Sequence, residues 1–361
     1  MKIDFKQAPL FTIWETTRAC PLACSHCRAE TLASRDDGEL STEEGKRLLT
    51  DVASMDGPIV ILSGGDCLNR PDLAELIQHG KHLGLRMYAW PAATPSVTPE
   101  RVAQLEEAGI DGMSFGIDGP DASTHDGFRK SEGSFDLSLK GIETVRAAGV
   151  RAAVRTCVAE WNFGHIERMI SLVGTLGLSC WELHFLIPAG RVRGLRGISA
   201  QDFEDVFERL HGLSLSAPYD VKVSEAPHYN RFVLEKAAQG FPTKKSTAGC
   251  GGGEAPEKAV NAGNGCIYID HVGNICPSPW LPLAAGNVRT HPLAETYRDA
   301  HPFRELKDTK LLKGRCGACE YNGVCGGSRA RAWAVTGDFL ETDPYCAYIP
   351  KAMRVASQTA P

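Results

Sequence analysis

Three cysteines fall within the eight residues Cys20-Pro21-Leu22-Ala23-Cys24-Ser25-His26-Cys27, spaced C-x3-C-x2-C. Thiolates are soft ligands, and three together suit zinc or an iron–sulfur cluster. Three ligands rather than four leave one coordination position open. By analogy with zinc enzymes, an open position marks a reaction site and not a structural one. A second set lies further on as Cys316-Gly317-Ala318-Cys319, Cys325 and Cys346. Its C-x2-C-x5-C spacing with a later fourth cysteine makes a closed four-thiolate site, and the pattern alone does not choose between zinc and iron–sulfur. Between the two sets, Cys250, Cys266 and Cys276 offer three further ligands, while Cys157 and Cys180 sit inside strand patterns as small core residues.

These residues need a scaffold. Phe11-Thr12-Ile13-Trp14 reads as a buried strand just before the first cysteine loop, and Ser41-Thr42-Glu43-Glu44 opens a helical pattern after it. The loop therefore leaves a strand end, where α/β folds place their chemistry. An apolar run followed by an amphipathic stretch recurs six times, with strands at 11–15, 58–63, 86–90, 112–117, 151–158 and 181–187. The helices fall at 42–54, 71–83, 98–108, 135–148, 163–176 and 200–213. Ser41 or Thr42 caps the first, Pro71 opens the second and Thr98-Pro99 opens the third. Alternating β and α predicts a parallel sheet with right-handed crossovers. Six units fall short of a closed barrel of eight, and the same rhythm also fits a doubly wound sheet.

The rhythm stops after about residue 215. Residues 216–265 read as a linker and substrate-side loop: a strand, a short helix to Ala238, then a stretch rich in Gly, Lys, Ala and Pro. Residues 266–361 form a cysteine-rich domain that begins with a hairpin around His271-Val272-Gly273. Thirteen cysteines, with no signal-peptide core in Met1-Lys2-Ile3-Asp4-Phe5-Lys6, point to metal in a reducing cytoplasm and not to a disulfide framework. A net charge of −5 gives no reason to expect nucleic acid, and no apolar run approaches a membrane span.

The C-x3-C-x2-C loop at a strand end resembles the signature of the radical SAM superfamily. The resemblance implies a fold, an open partial (β/α)6 TIM-like barrel, and a cofactor pair. Cys20, Cys24 and Cys27 would hold three irons of a [4Fe–4S] cluster whose fourth iron binds S-adenosylmethionine. An electron then yields methionine and a 5′-deoxyadenosyl radical. Ser63-Gly64-Gly65-Asp66 after the second strand resembles the family's Gly-Gly-Glu motif, which contacts the cofactor's amino group; Asp66 replaces the usual Glu. Ser114-Phe115-Gly116-Ile117-Asp118 departs from the family pattern, which places serine where Gly116 stands. Arg129 resembles the arginine that pairs with the methionyl carboxylate. Arg155 and Leu186-Ile187 lie where members line the adenosine pocket.

The tail cysteines Cys316, Cys319, Cys325 and Cys346 resemble the ligands of an auxiliary [4Fe–4S] cluster in the SPASM/twitch subclass. A second auxiliary cluster is in question, because Arg329 and Ser278 stand where relatives have cysteine. The run from Cys325 to Asp338 and Asp343-Pro344-Tyr345-Cys346 is similar to tails of the haem-biosynthesis branch, which trims side chains of carboxylated tetrapyrroles. In that setting Arg329 and Arg331 either meet propionates or buttress the cluster loop. The resemblance implies a small-molecule substrate and an electron donor such as flavodoxin or ferredoxin. A maturase of ribosomally made peptides and a non-catalytic iron–sulfur redox protein are the alternatives. Reconstituted protein given dithionite is expected to form 5′-deoxyadenosine, and a Cys20/Cys24/Cys27→Ala triple variant to form none. Undiminished product from the triple variant, by chromatography, removes the assignment.

Overall fold

The computed structural model describes residues 3–190, 192, 195–244 and 258–356. Seven parallel strands are laid down in chain order: β1 (Phe11–Glu15), β2 (Ile59–Ser63), β3 (Arg86–Ala89), β4 (Gly112–Gly116), β5 (Ala152–Val158), β6 (Cys180–Phe185) and β7 (Asp220–Ser224). Four short strands follow, β8 (Asn261–Ala262), β9 (Gly265–Ile269), β10 (Asn274–Cys276) and β11 (Gly286–Asn287). The expected rhythm thus runs one strand further than residue 215, since β7 pairs parallel with β6. The sheet also grows at its other side, where β9 pairs parallel with β1 before turning into the antiparallel β9–β10 hairpin.

The helices α1 (Thr42–Ser54), α2 (Leu73–His82), α3 (Pro99–Glu107), α4 (Ala122–Arg129), α5 (Ser134–Ala147), α6 (Glu160–Phe163), α7 (Ile166–Thr175), α8 (Ala200–Ser216) and α9 (His228–Ala238) connect these strands. Ser41 caps α1 in a reciprocal capping box with Glu44. The second helix starts later than Pro71 because the Asp72 carboxylate is already held by Arg70 and Thr42, leaving no side-chain cap. Helix α4 has no counterpart in the sequence expectation. Asp121 caps it by accepting from the Thr124 amide at 2.9 Å, and its last residue is Arg129.

Alternation along each strand divides the side chains into two populations. Trp14, Leu62, Met87, Phe115, Val154, Trp181 and Phe185 face the helices and make the main core. The opposite face lines the barrel interior. On β1, β2, β3 and β9 that face is apolar, with Ile13, Ile59, Ile61, Tyr88, Cys266 and Tyr268 in one cluster. On β4 to β7 it is polar: Ser114, then the register neighbours Arg155, Glu182 and Lys222. Among the described residues no helix is long and apolar enough to cross a membrane.

Because β9 covers the side of β1, a chain ending at residue 240 leaves β1 as an unpaired parallel edge over an opened apolar wall. That truncation is expected to give aggregated protein by size-exclusion chromatography. A soluble monomer able to bind S-adenosylmethionine would show that the first 240 residues stand alone.

Candidate active site

The first cysteine loop springs from a sutured base. The carbonyls of Thr17 and Ala19 accept from the amides of Gly65 (2.8 Å) and Asp66 (2.8 Å), and Asn69 Nδ2 also donates to Ala19 at 3.2 Å. Such close approach demands glycine: a Cβ on Gly64 would lie 2.4 Å from the Thr17 oxygen, and one on Gly65 would lie 2.5 Å from that of Ala19. The far side of the loop closes through Cys20 N to Leu32 O at 3.0 Å and Leu32 N to Arg18 O at 2.9 Å.

Cys20, Cys24 and Cys27 are free and partly exposed on this loop, near enough to influence one another. Burial pushes the Cys20 thiol up to about 12, and the neighbouring Asp66, Cys24 and Cys27 add to it. Burial also raises Cys24, with the Arg129 guanidinium opposing. Thiols that resist ionisation because of burial and each other are a donor set that a multiply charged cationic cluster relieves.

Arg28, next to the last cysteine, ties the loop to the barrel. Its Nη2 donates to Glu15 Oε1 at 2.9 Å and to the Tyr268 hydroxyl at 2.7 Å. Burial works to raise Glu15, but Arg28, His271 and Arg18 outweigh it and hold the carboxyl well below its ordinary range.

A polar layer lies against the cysteine loop. His26 stacks on Phe128 with centroids 4.7 Å apart, and its Nε2 is 3.7 Å from Asp118 Oδ2. Burial lowers His26 to about 4, Asp118 opposing and Arg129 and Arg155 reinforcing, so the ring is neutral near pH 7. Arg129 closes on Asp118 through Nε (2.9 Å) and Nη2 (2.9 Å), leaving Nη1 as its uncommitted edge. This pair bears on the departure at Gly116: a Cβ there would lie 1.8 Å from Arg129 Nη2, so a serine would require the guanidinium to move away from where it pairs with Asp118. Buried polar atoms without a partner are gathered in this region, among them His26 Nδ1, His184 Nδ1 and Ser114 Oγ. Unsatisfied groups of this kind await a ligand.

Two of the residues expected at the cofactor make these contacts within the protein. The Asp66 carboxylate is fully buried and accepts from Thr94 Oγ1 (2.9 Å), Ser96 Oγ (3.0 Å), Leu68 N (3.2 Å) and Ala92 N (3.3 Å). These four contacts tie the loop after β2 to the loop after β3. Ile187 is absent from the interior lining and packs with Ala262, Leu281, Leu306 and Ala330, where barrel meets tail. Arg155 does reach the interior, stacked 3.5 Å over Trp90 and 3.3 Å from Glu182.

Below this layer the barrel interior is a cavity that runs from Trp90 and Arg155 down to the lower strand ends at Phe11 and Arg151. Glu225, just past β7, is part of its wall in a left-handed backbone conformation (φ 56°). Burial pushes its carboxyl up to about 7; Arg331 opposes, and Glu182 and Asp343 reinforce.

All four tail cysteines line one smaller cavity, together with His228 and Arg231. Cys316 Sγ accepts from Asp343 N (3.3 Å) and Arg329 Nη2 (3.4 Å), and Cys325 Sγ accepts from Gly327 N (3.3 Å). Donors aimed at sulfur are what cluster thiolates require. Among the described residues, no three Cys, His, Asp or Glu side chains converge on a point that would hold a single metal ion; these sulfurs surround a volume. Arg329 and Arg331 are both buttresses. Arg329 binds the carbonyls of Gly327, Phe339 and Glu341, and Arg331 pairs with buried Asp343 at 3.0 Å. Cys250 lies outside the described residues. Cys266 and Cys276 are buried in the apolar cluster with Tyr268, so the described residues assemble no ligands for a further cluster.

Residues 14–173 match the family described as the radical SAM superfamily. The AdoMet-dependent heme synthase of Methanosarcina barkeri is 39% identical over 96% of this chain and 99% of its own length. The enzyme of the same name from Nitratidesulfovibrio vulgaris is 36% identical over 94% of this chain and 92% of its own. The chain belongs to the radical SAM superfamily. Streptococcus suis SuiB bound to S-adenosylmethionine shares the fold, with a TM-score of 0.71 at 12% identity over 95% of this chain and 78% of that one. The mycofactocin maturase MftC of Mycobacterium ulcerans is more distant, at 28% identity over 94% of this chain and 88% of its own length. As a radical SAM enzyme the protein works with a [4Fe–4S] cluster and S-adenosylmethionine, and the thiol loop, the polar layer and the tail cavity fit those groups.

Sequence reasoning did not single out His26, Glu15, Arg28, His184 or Glu182. His26 alone carried a signal, its place inside the cysteine motif. Gly65→Ala is expected to dislodge the loop base. Iron bound after reconstitution should fall toward the tail cluster's share, about half, and 5′-deoxyadenosine formation should fall about tenfold, the scale of one or two lost backbone hydrogen bonds, with far-ultraviolet circular dichroism unchanged. Gly164→Ala, whose added Cβ meets nothing within 4 Å, is the control. Full activity in Gly65→Ala would show that this seam does not hold the loop.

Proposed function

We propose that this radical SAM enzyme removes hydrogen from a side chain of a small carboxylated tetrapyrrole, a haem-precursor substrate. The observation that carries the reading is the two-sided interior, apolar on β1, β2, β3 and β9 and charged on β5 to β7. A flat conjugated ring with carboxylate arms matches both walls at once. The relatives named AdoMet-dependent heme synthase, similar over nearly their whole length, support it.

In this reading Cys20, Cys24 and Cys27 hold the cluster that, when reduced, supplies the electron that cleaves S-adenosylmethionine to methionine and the hydrogen-abstracting 5′-deoxyadenosyl radical. Arg129, oriented by Asp118, offers Nη1 to the cofactor carboxylate. The backbone of Gly64 and Gly65 gives the cofactor a close approach, and neutral His26 adds an aromatic face beside it. Arg155 and Trp90 form the floor between cofactor and substrate. Cys316, Cys319, Cys325 and Cys346 hold the auxiliary cluster beside the β7 side of the cavity. The barrel occupies residues 1–215 with the β7 unit added to it, and the tail from 266 closes it. A reduced flavodoxin or ferredoxin is the electron donor, and the cytoplasm, where thiols stay reduced, is the setting.

The test is anaerobic incubation with S-adenosylmethionine, reductant and an iron porphyrin bearing four propionates. Substrate-dependent 5′-deoxyadenosine and a porphyrin of lower mass are expected. 5′-Deoxyadenosine formation unaffected by the porphyrin, with its mass unchanged, overturns the reading and favours a peptide substrate.

A further inference from the structure

The charged wall of the barrel cavity holds more positive charge than its own acids answer. Arg155 is committed to Glu182 at 3.3 Å and to the Trp90 ring. Arg151 donates to the Asp111 carbonyl at 2.9 Å and to the Tyr88 hydroxyl at 3.2 Å. Lys222 is the register neighbour of Glu182 on β7, yet that carboxylate is taken, and the Lys222 ammonium has no hydrogen bond or ion pair among the described residues. Lys258, an exposed residue that also lines the cavity, likewise has none among the described residues. The remaining acid of the wall, Glu225, is held toward its neutral form by burial and faces Arg331, Glu182, Asp343 and Arg155. A half-buried ammonium in a cavity, without a counter-ion among the described residues, favours an anionic ligand. Opposite Lys222 the wall is apolar and aromatic, with Phe11, Tyr88 and Trp90 on it.

We propose that Lys222 is the carboxylate anchor of the substrate cavity: its ammonium binds one carboxylate arm of the substrate while the flat ring lies against the apolar wall, and Lys258 meets a second arm. The anchor rests on the carboxylated-tetrapyrrole reading and adds to it the residue that selects acid over ester. A neutral macrocycle would fill the same space and leave Lys222 unpaired, so discrimination comes from charge and not from shape.

Reconstituted protein is titrated with an iron porphyrin bearing four propionates and, separately, with its tetramethyl ester, followed by the porphyrin absorbance band. Wild type is expected to prefer the acid. Lys222→Met should weaken the acid by about ten- to hundredfold, as for loss of one charge-assisted hydrogen bond, and leave the ester unchanged; Lys222→Arg should recover most of the loss. A melting temperature for each variant checks the fold, and Lys222→Gln serves if the methionine variant is unfolded. Equal acid affinity in folded Lys222→Met, or equal acid and ester affinity in wild type, overturns the anchor and leaves the tetrapyrrole reading standing. Failure of wild type to bind either porphyrin removes the tetrapyrrole reading and the anchor with it.

Discussion

The seam between Thr17–Ala19 and Gly64–Asp66 is the contact on which the rest depends. It is made of backbone amides and carbonyls at 2.8 Å, and it exists only because two residues without side chains let the chains touch. Above it stand the three thiols. Beneath it, Arg70 donates to the Thr16 carbonyl at 3.1 Å and lies over the Trp14 ring. Beside it, Asp66 gathers donors from the loop after β3. A loop of about a dozen residues rich in polar and small side chains has little apolar area with which to order itself. Its order is borrowed from the strand ends that grip its base.

The barrel interior follows from the same strand alternation that builds the core. Outward residues are mostly apolar because helices cover them, with Thr12 and Thr156 the buried polar exceptions, and the inward residues are left free to follow chemistry. Their division into an oily wall and a charged wall concentrates Arg155, Glu182 and Lys222 on neighbouring strands. At the open side the tail completes the enclosure. Arg331 reaches from the tail to the Glu225 carbonyl and to Asp343, and the Asp343 amide in turn faces Cys316. The substrate cavity and the tail thiols therefore share one buried ion pair, and a pair of this kind is strongly destabilised if either partner is removed.

What was legible in the sequence was local. The cysteine spacings, the βα rhythm and the helix caps at Ser41 and Thr98 are short-range patterns. Helix α4 escaped because Ala122–Arg129 is short and mostly polar, and only the cap at Asp121 announces it. The joining of β9 to β1 escaped because it is a pairing between distant segments, which no periodicity reports; β7 was read as a strand, and its pairing with β6 simply continues the rhythm. The role of Asp66 was read from a motif, whereas four donors from two segments decide where its oxygens point. Arg329 and Arg331 left two readings open until burial settled them as supports. Gly116 looked like a departure from pattern and proved to be the space that Arg129 occupies.

The two neighbours of β1 arrive at very different times during synthesis. Phe11 pairs with Ile59, 48 residues later, and with Cys266, 255 residues later. The seam under the cysteine loop needs only the first 66 or so residues, so the metal-binding end can take shape while most of the chain is unmade. The apolar wall cannot, because its last strand follows β7 and α9 in the chain. Until then one side of β1 is an unsatisfied edge beside exposed Ile13 and Ile61, a template for pairing with the wrong partner. Non-local closure of this kind is slow. The backbone seam of the cysteine loop is thus drawn from residues made early, whereas the contacts of Arg28 with Tyr268 and the apolar wall both wait for β9.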